Sequence, residues 1–177
     1  LVGALAVEQV GEGQGVDLNG DGAVGDEVLQ LYDATKKKVL TPGLATTDFV
    51  MDERATSACG DVQLTALRVR EVSQDNTDLN GDGDTDDLVM AVYDAVSGTV
   101  RITGQAATPC TFPACDPRTP YRVEGSKVTF LTAEAEQGGQ DLSGEGDTDD
   151  VVLQVYDFCG NVVTPIGRVD EQAPLDA

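Results

Sequence analysis

The residues able to hold a ligand come in three copies. DLNGDGAVGDEVLQLYD runs from Asp17 to Asp33, DLNGDGDTDDLVMAVYD from Asp78 to Asp94, and DLSGEGDTDDVVLQVYD from Asp141 to Asp157. They align without gaps, start 61 and 63 residues apart, and the last two agree at 12 of 17 positions, so they are copies of one unit. In the second copy Asp78, Asn80, Asp82 and Asp84 take positions 1, 3, 5 and 7, Gly83 takes position 6, and Asp87 takes position 10. A hard cation such as Ca²⁺ takes roughly six to eight oxygen ligands at about 2.4 Å. Oxygens from alternate residues converge on one point only if the backbone curls, and glycine at position 6 permits that turn.

The third copy keeps the pattern with Asp141, Ser143, Glu145, Asp147 and Asp150. The first has Asp17, Asn19 and Asp21, but position 7 is Ala23 and position 9 is Gly25. Ala23 would ligate through its carbonyl, which leaves Asp26 at position 10 to close the loop. The expectation is one Ca²⁺ per loop, about three in all, with the first site weakest. Another acid precedes each loop: Glu71 and Glu134 seven residues before position 1, and Glu8 nine before it. Each either reaches the ion from the incoming strand or is an exposed strand acid.

The elements that position these loops read as strands. Alternating, β-branched stretches lie upstream at Leu1–Val7, Val62–Val72 and Val128–Ala135, and the second half of each motif alternates as well. A turn and a further short strand follow each closing Asp, in VLTPG, TVRITG and VVTPIG. Tyr121–Val123 followed by EGSK supplies a fourth strand ahead of the third copy. The chain therefore reads as all-β, a single repeat domain over 1–177. Its three antiparallel, four-stranded units are expected at 1–55, 56–118 and 119–177. Tyr32, Tyr93 and Tyr156 are expected to bury their rings, with the Asp after each opening a turn.

Composition narrows the function. The chain has 177 residues, 32 Asp+Glu against 11 Lys+Arg, and a formal charge of −21. That balance excludes a generic nucleic-acid binder, whose affinity rests on cations that neutralise phosphate. The absence of histidine removes His-based triads, His general bases and His-ligated zinc. No stretch approaches the roughly 18 apolar residues that read as a membrane span. LVGALAV is too short for a signal peptide, and a start at Leu1 suggests a processed chain or a piece of a longer one. Fourteen of the 32 acids lie in the three loops, leaving out the closing Asp of each motif: four in the first and five in each of the others. Without them the charge would be −7.

The loops resemble the DxDxDG calcium loops of EF-hands, dockerins, thrombospondin type 3 repeats and integrin α-subunit propellers. An EF-hand proper needs Glu at position 12 and flanking helices, whereas this chain has Val28, Val89 or Val152 there and strands on both sides. The setting is closest to the integrin-type loop. With the loop removed, a unit such as KVTFLTAE…DVVLQVYDFCGNVVTPIG resembles a β-propeller blade of the TolB or WD type. The resemblance implies three blades, with each calcium loop between second and third strands and all loops on one face. Closed propellers usually have about four to eight blades, so a larger parent or association of copies is implied. The alternative is a β-sandwich or barrel of three hairpin units.

Four cysteines allow three pairings. Cys110–Cys115 would close a tight loop around TFPA, which leaves Cys59–Cys159. In the blade reading, Cys59 and Cys159 lie in adjacent units on the face opposite the calcium loops. Even cysteines and loops that work near millimolar Ca²⁺ suggest an extracellular or cell-surface protein. No catalytic constellation is present, so the expectation is a non-enzymatic structural protein that self-associates. A propeller fragment binding a protein or glycan partner is the alternative, and a propeller hydrolase with catalytic residues elsewhere is the third reading.

Overall fold

The computed structural model describes residues 1–8, 15–109 and 121–169. They form thirteen strands: β1 (Val2–Val7), β2 (Glu27–Asp33), β3 (Lys38–Leu40), β4 (Thr46–Met51), β5 (Ala55–Ser57), β6 (Gly60–Val62), β7 (Leu64–Arg70), β8 (Leu88–Asp94), β9 (Thr99–Ala106), β10 (Arg122–Glu124), β11 (Lys127–Ala133), β12 (Val151–Asp157) and β13 (Val162–Arg168). Two 3₁₀ turns, Glu71–Ser73 and Glu134–Gln137, are the only helical segments among the described residues. None is long and apolar enough to cross a membrane. The chain is all-β, as its alternation and its Gly, Asn and Asp punctuation require.

The strands form four antiparallel sheets rather than three uniform units. Their orders are β1-β2-β3, β4-β7-β8-β9, β10-β11-β12-β13 and the small β5-β6 hairpin. The motifs lie in the three larger sheets, each joining two neighbouring strands: β1 to β2, β7 to β8 and β11 to β12. In both four-stranded sheets these are the second and third strands. β4 falls inside the span expected for the first unit but pairs with β7, from Thr46↔Val69 to Met51↔Thr65. The edge at 55/56 therefore separates β4 from its own sheet. Burial explains this: Val50 faces one apolar core and Phe49 and Met51 the other, so β4 is held by packing on both sides.

Those two cores organise the molecule. Leu29 and Leu31 of the first sheet meet Leu67, Val69, Ala91 and Tyr93 of the second. On the other side of the second sheet, Leu64, Ala66, Met90 and Val92 meet Val128, Phe130 and Tyr156 of the third. The second sheet is thus covered on both faces, and β8 reads LVMAVYD, nearly continuous in apolar residues. Each fully buried Leu or Val contributes about 1.5–3 kcal/mol relative to exposure. Tyr93 and Tyr156 are buried as expected, but Tyr32 is 43% exposed on the uncovered side of the first sheet.

Cys59, in the β5–β6 turn, is bonded to Cys159 after β12, with Cα atoms 5.4 Å apart across 100 residues of sequence. The bond joins the separate β5–β6 hairpin to the β10-β11-β12-β13 sheet, at the end of the strands away from the acidic motifs. Such bonds persist in oxidising compartments. Cys110 and Cys115 lie outside the described residues.

Candidate metal centres

Each acidic loop is folded by its own carboxylates. The position-1 Asp accepts N–H groups from positions 4 and 6 through separate oxygens. The distances are 2.6 and 2.9 Å at Asp17, 2.6 and 3.0 Å at Asp78, and 2.6 and 2.9 Å at Asp141. This requires a left-handed backbone at position 6, and Gly22, Gly83 and Gly146 supply it with φ of 87°, 105° and 100°. Alternate side chains then bond two residues ahead. Asn19 and Asn80 accept the amides of Asp21 and Asp82 at 3.3 Å, and Asp82 accepts that of Asp84 at 3.1 Å. Positions 1, 3 and 5 therefore line the curl with oxygens fixed by backbone amides.

The preceding glutamates prove to be buried rather than exposed strand acids: Glu8 is 2% exposed, and Glu71 and Glu134 are wholly buried. They close the loops. Glu71 Oε1 accepts the Leu79 and Asn80 amides at 2.5 and 3.4 Å, while Oε2 accepts the Asp87 amide at 3.2 Å. Glu134 repeats this with Leu142, Ser143 and Asp150 at 2.7, 2.8 and 3.2 Å. Glu8 Oε1 takes Leu18 and Asn19 at 2.5 and 3.2 Å, but its Oε2 is buried without a hydrogen-bond partner. The seven-residue spacing of Glu71 and Glu134 was readable in the sequence. Their burial depends on where the strand ends and could not be read there.

Two carboxylate groups of three result. One oxygen each from Glu71, Asp84 and Asp87 lie within 4.8 Å of one another, and Glu134, Asp147 and Asp150 form the equivalent set. These bring together positions 7 and 10 with the incoming glutamate, so position 7 presents its carboxylate where the sequence pattern suggested a carbonyl. Positions 1 and 3, and Asp21 and Asp82 at position 5, remain engaged with loop amides, outside these groups. The first loop has Ala23 at position 7 and forms no such trio among the described residues.

Crowding shows in the protonation of these acids. Burial pushes Asp87 up to about 7, and the charges of Asp82, Glu71 and Asp84 add to that against a hydrogen bond from Asn80. In the third loop Glu145 is raised by its hydrogen bond with Asp150, and Asp147 by its hydrogen bond with Asp149. Asp141 is lowered, chiefly by the Gly144 amide. Asp150 Oδ2, like Glu8 Oε2, is buried without a partner. The third loop also has a protein cation: Arg168 Nη1 lies 2.5 Å from Glu145 Oε1 and 3.8 Å from Asp150 Oδ1. Nothing in the motif signals that contact, because Arg168 arrives from the last strand.

The donor set fits a hard divalent cation. It is all oxygen, carries several carboxylates per loop, and includes buried oxygens that no protein donor satisfies. No protein-family model, curated protein or solved structure matches this chain.

Proposed function

We propose that this chain is a non-enzymatic, extracellular calcium-binding structural protein whose ions rigidify repeated β-sheets. The observation that carries this reading is the wholly buried glutamate within 4.8 Å of two loop carboxylates, repeated in the second and third loops. Three acids held that close repel one another, and a divalent cation converts the repulsion into attraction. Asp17, Asn19, Asp21, the Ala23 carbonyl and Asp26 would hold the first ion. Asp78, Asn80, Asp82, Asp84 and Asp87 would hold the second, and Asp141, Ser143, Glu145, Asp147 and Asp150 the third. Glu8, Glu71 and Glu134 brace the loops from below. Calcium supplies the positive charge, and the chain supplies the curled backbone and the seating on the sheets.

The sheets are read as β-propeller-like blades that continue beyond three by association of copies. Support comes from the two similar sheet-on-sheet cores and from the apolar residues at the outer sheets. Val2 and Tyr32 are 65% and 43% exposed on the first, and Val162 and Ile166 are 53% and 59% exposed on the third. The Cys59–Cys159 bond favours secretion.

Melting in calcium and in chelator tests the metal reading. Binding to the folded state alone adds about 2.7 kcal/mol per site at a hundredfold excess over Kd. For a chain of this size that is a rise of roughly 5–10 °C per site. An unchanged melting temperature defeats the proposal. Light scattering tests association, and a strictly monomeric particle at high concentration would remove that part alone.

A further inference from the structure

Position 3 of the loops is asparagine twice and serine once, and the structure gives the difference a role. The Asn19 amide donates from Nδ2 to the Ser73 carbonyl at 2.9 Å, and the Asn80 amide to the Glu136 carbonyl at 2.9 Å. These contacts span 54 and 56 residues and cross from one large sheet to the next. Ser73 and Glu136 are equivalent: each lies two residues after the buried glutamate that closes the following loop. Both sit in the two 3₁₀ turns.

The rest of each seam repeats as well. Gln74 Oε1 accepts the Ala45 amide at 2.9 Å, and Gln137 Oε1 accepts the Ala106 amide at 2.7 Å. Gln137 Nε2 also donates to the Asn80 carbonyl at 3.3 Å. The seam is close enough that a Cβ on Gly138 would stand 3.0 Å from Asp82 Cβ. Serine at position 143 has no further sheet among the described residues to contact, and its hydroxyl turns to Asp141 at 3.2 Å.

Only a side-chain amide serves both directions. Its oxygen faces the curl, and its nitrogen donates to the neighbouring turn, with the second hydrogen of Asn80 going to Asp87 of its own loop at 2.8 Å. Aspartate would be the stronger ligand for a cation, yet it would set a carboxylate against the turn's carbonyl. Neutral Asn19 and Asn80 are explained if the outward hydrogen bond matters.

We infer that Asn19 and Asn80 are positioning residues that pass the state of one loop to the next. An ion on the Asn80 oxygen fixes its amide nitrogen on Glu136, which steadies the 134–137 turn. Glu134, in that turn, holds the ends of the third loop. The first loop acts on the second in the same way through Asn19, Ser73 and Glu71. This inference rests on the calcium reading above. Coupling is reciprocal, so a firm turn also favours the ion in the loop before it.

The test uses the full chain with Ca²⁺ as the probe, calorimetry to count ions, and amide exchange to read the turns. Asp147→Asn with Asp150→Asn disables the third loop, so any calcium effect on the 134–137 turn must come from the second. In that background, calcium is expected to slow exchange at Gly139 and Gln140, whose amides bond Glu134 and Gln137 carbonyls. The expected slowing is about 5- to 150-fold, the usual span of coupling between sites. Adding Asn80→Ser keeps a side-chain oxygen in the loop but removes the nitrogen that donates to Glu136 and to Asp87. Compared at calcium concentrations where calorimetry shows the second loop filled in both chains, it should abolish the slowing. Asn19→Ser, read at Gln74 and Thr77 with Asp84→Asn and Asp87→Asn, repeats the test at the first seam. Slowing that survives both serine substitutions overturns the inference and leaves the calcium reading standing. A wild-type chain that binds no ion overturns both.

Discussion

Aspartates at the two ends of the sheets are in opposite condition. At the turn end, Asp33, Asp94 and Asp157 each follow a Tyr and hold the turn that follows by accepting its amides, and all three are lowered from the ordinary carboxylate range. Burial pushes Asp94 up, but the amides of Gln63, Val96 and Ser97 and the Ser97 hydroxyl outweigh it. At the loop end, Asp87 is raised by burial, Glu145 by Asp150 and Asp147 by Asp149. Asp141 belongs chemically with the turn acids, since loop amides satisfy it. A carboxylate saturated by backbone donors is a structural device. One whose neighbours are carboxylates gains from a nearby cation, as Glu145 does from Arg168, and this is the contrast expected between a turn acid and the proposed metal cage.

The hardest blow to the loop end should come from Glu71→Ala. Glu71 is wholly buried and accepts three amides, so its removal strands three half-buried donors at about 1 kcal/mol each. Urea unfolding in chelator should show a loss of about 3 kcal/mol or more. Glu8→Ala should cost roughly half as much, since Glu8 takes two amides and leaves one oxygen bare. Equal losses would mean that the first loop is braced as fully as the second.

At the turn end the corresponding change is Asp94→Asn, with an expected loss of about 2 kcal/mol at neutral pH, typical of hydrogen bonds to a charged group. Calcium should leave that loss unchanged. Because the folded state lowers the pKa of Asp94, its contribution is present above the unfolded pKa and disappears as pH falls through the folded one. The gap between wild type and variant in urea should therefore close on acidification. A gap of the same size from neutral pH to well below the ordinary carboxylate range would show that Asp94 acts by packing.

How far these ends were legible from sequence follows the same division. The loops repeat as a linear pattern, and the strands Leu1–Val7, Val62–Val72 and Val128–Ala135 carry the alternation that β1, β7 and β11 display. β4 was not legible, because TTDFVM carries a charge in its middle. Besides its neighbour Thr47, Asp48 is accommodated by Arg68 of β7 and the Tyr121 hydroxyl, at 20 and 73 residues' distance in sequence. The β5–β6 hairpin is too short to show a period. In the loops, spacing indicated positions 1 to 10. The buried glutamates, Arg168 beside the third loop and the cross-sheet Asn contacts are products of tertiary placement, and no local pattern encodes them.

The smallest expected effect is also the sharpest, because it changes sign. Asp87→Asn removes one charge from the crowd of Asp82, Glu71 and Asp84 while retaining an oxygen for the Asn80 amide. Without metal the variant should be more stable than wild type, by on the order of 1 kcal/mol, the scale of an ordinary substitution. A carboxyl raised to about 7 on folding binds its proton more tightly in the folded state. Wild-type stability in chelator should therefore fall as pH rises from the ordinary carboxylate value towards 7, and the variant should fall less. With calcium the order should reverse, since the ion then attracts the charge that its neighbours repel. An acidic loop with no metal role would keep the variant ahead in both conditions, and a turn-type acid such as Asp94 would keep it behind in both. Only a cage crosses over.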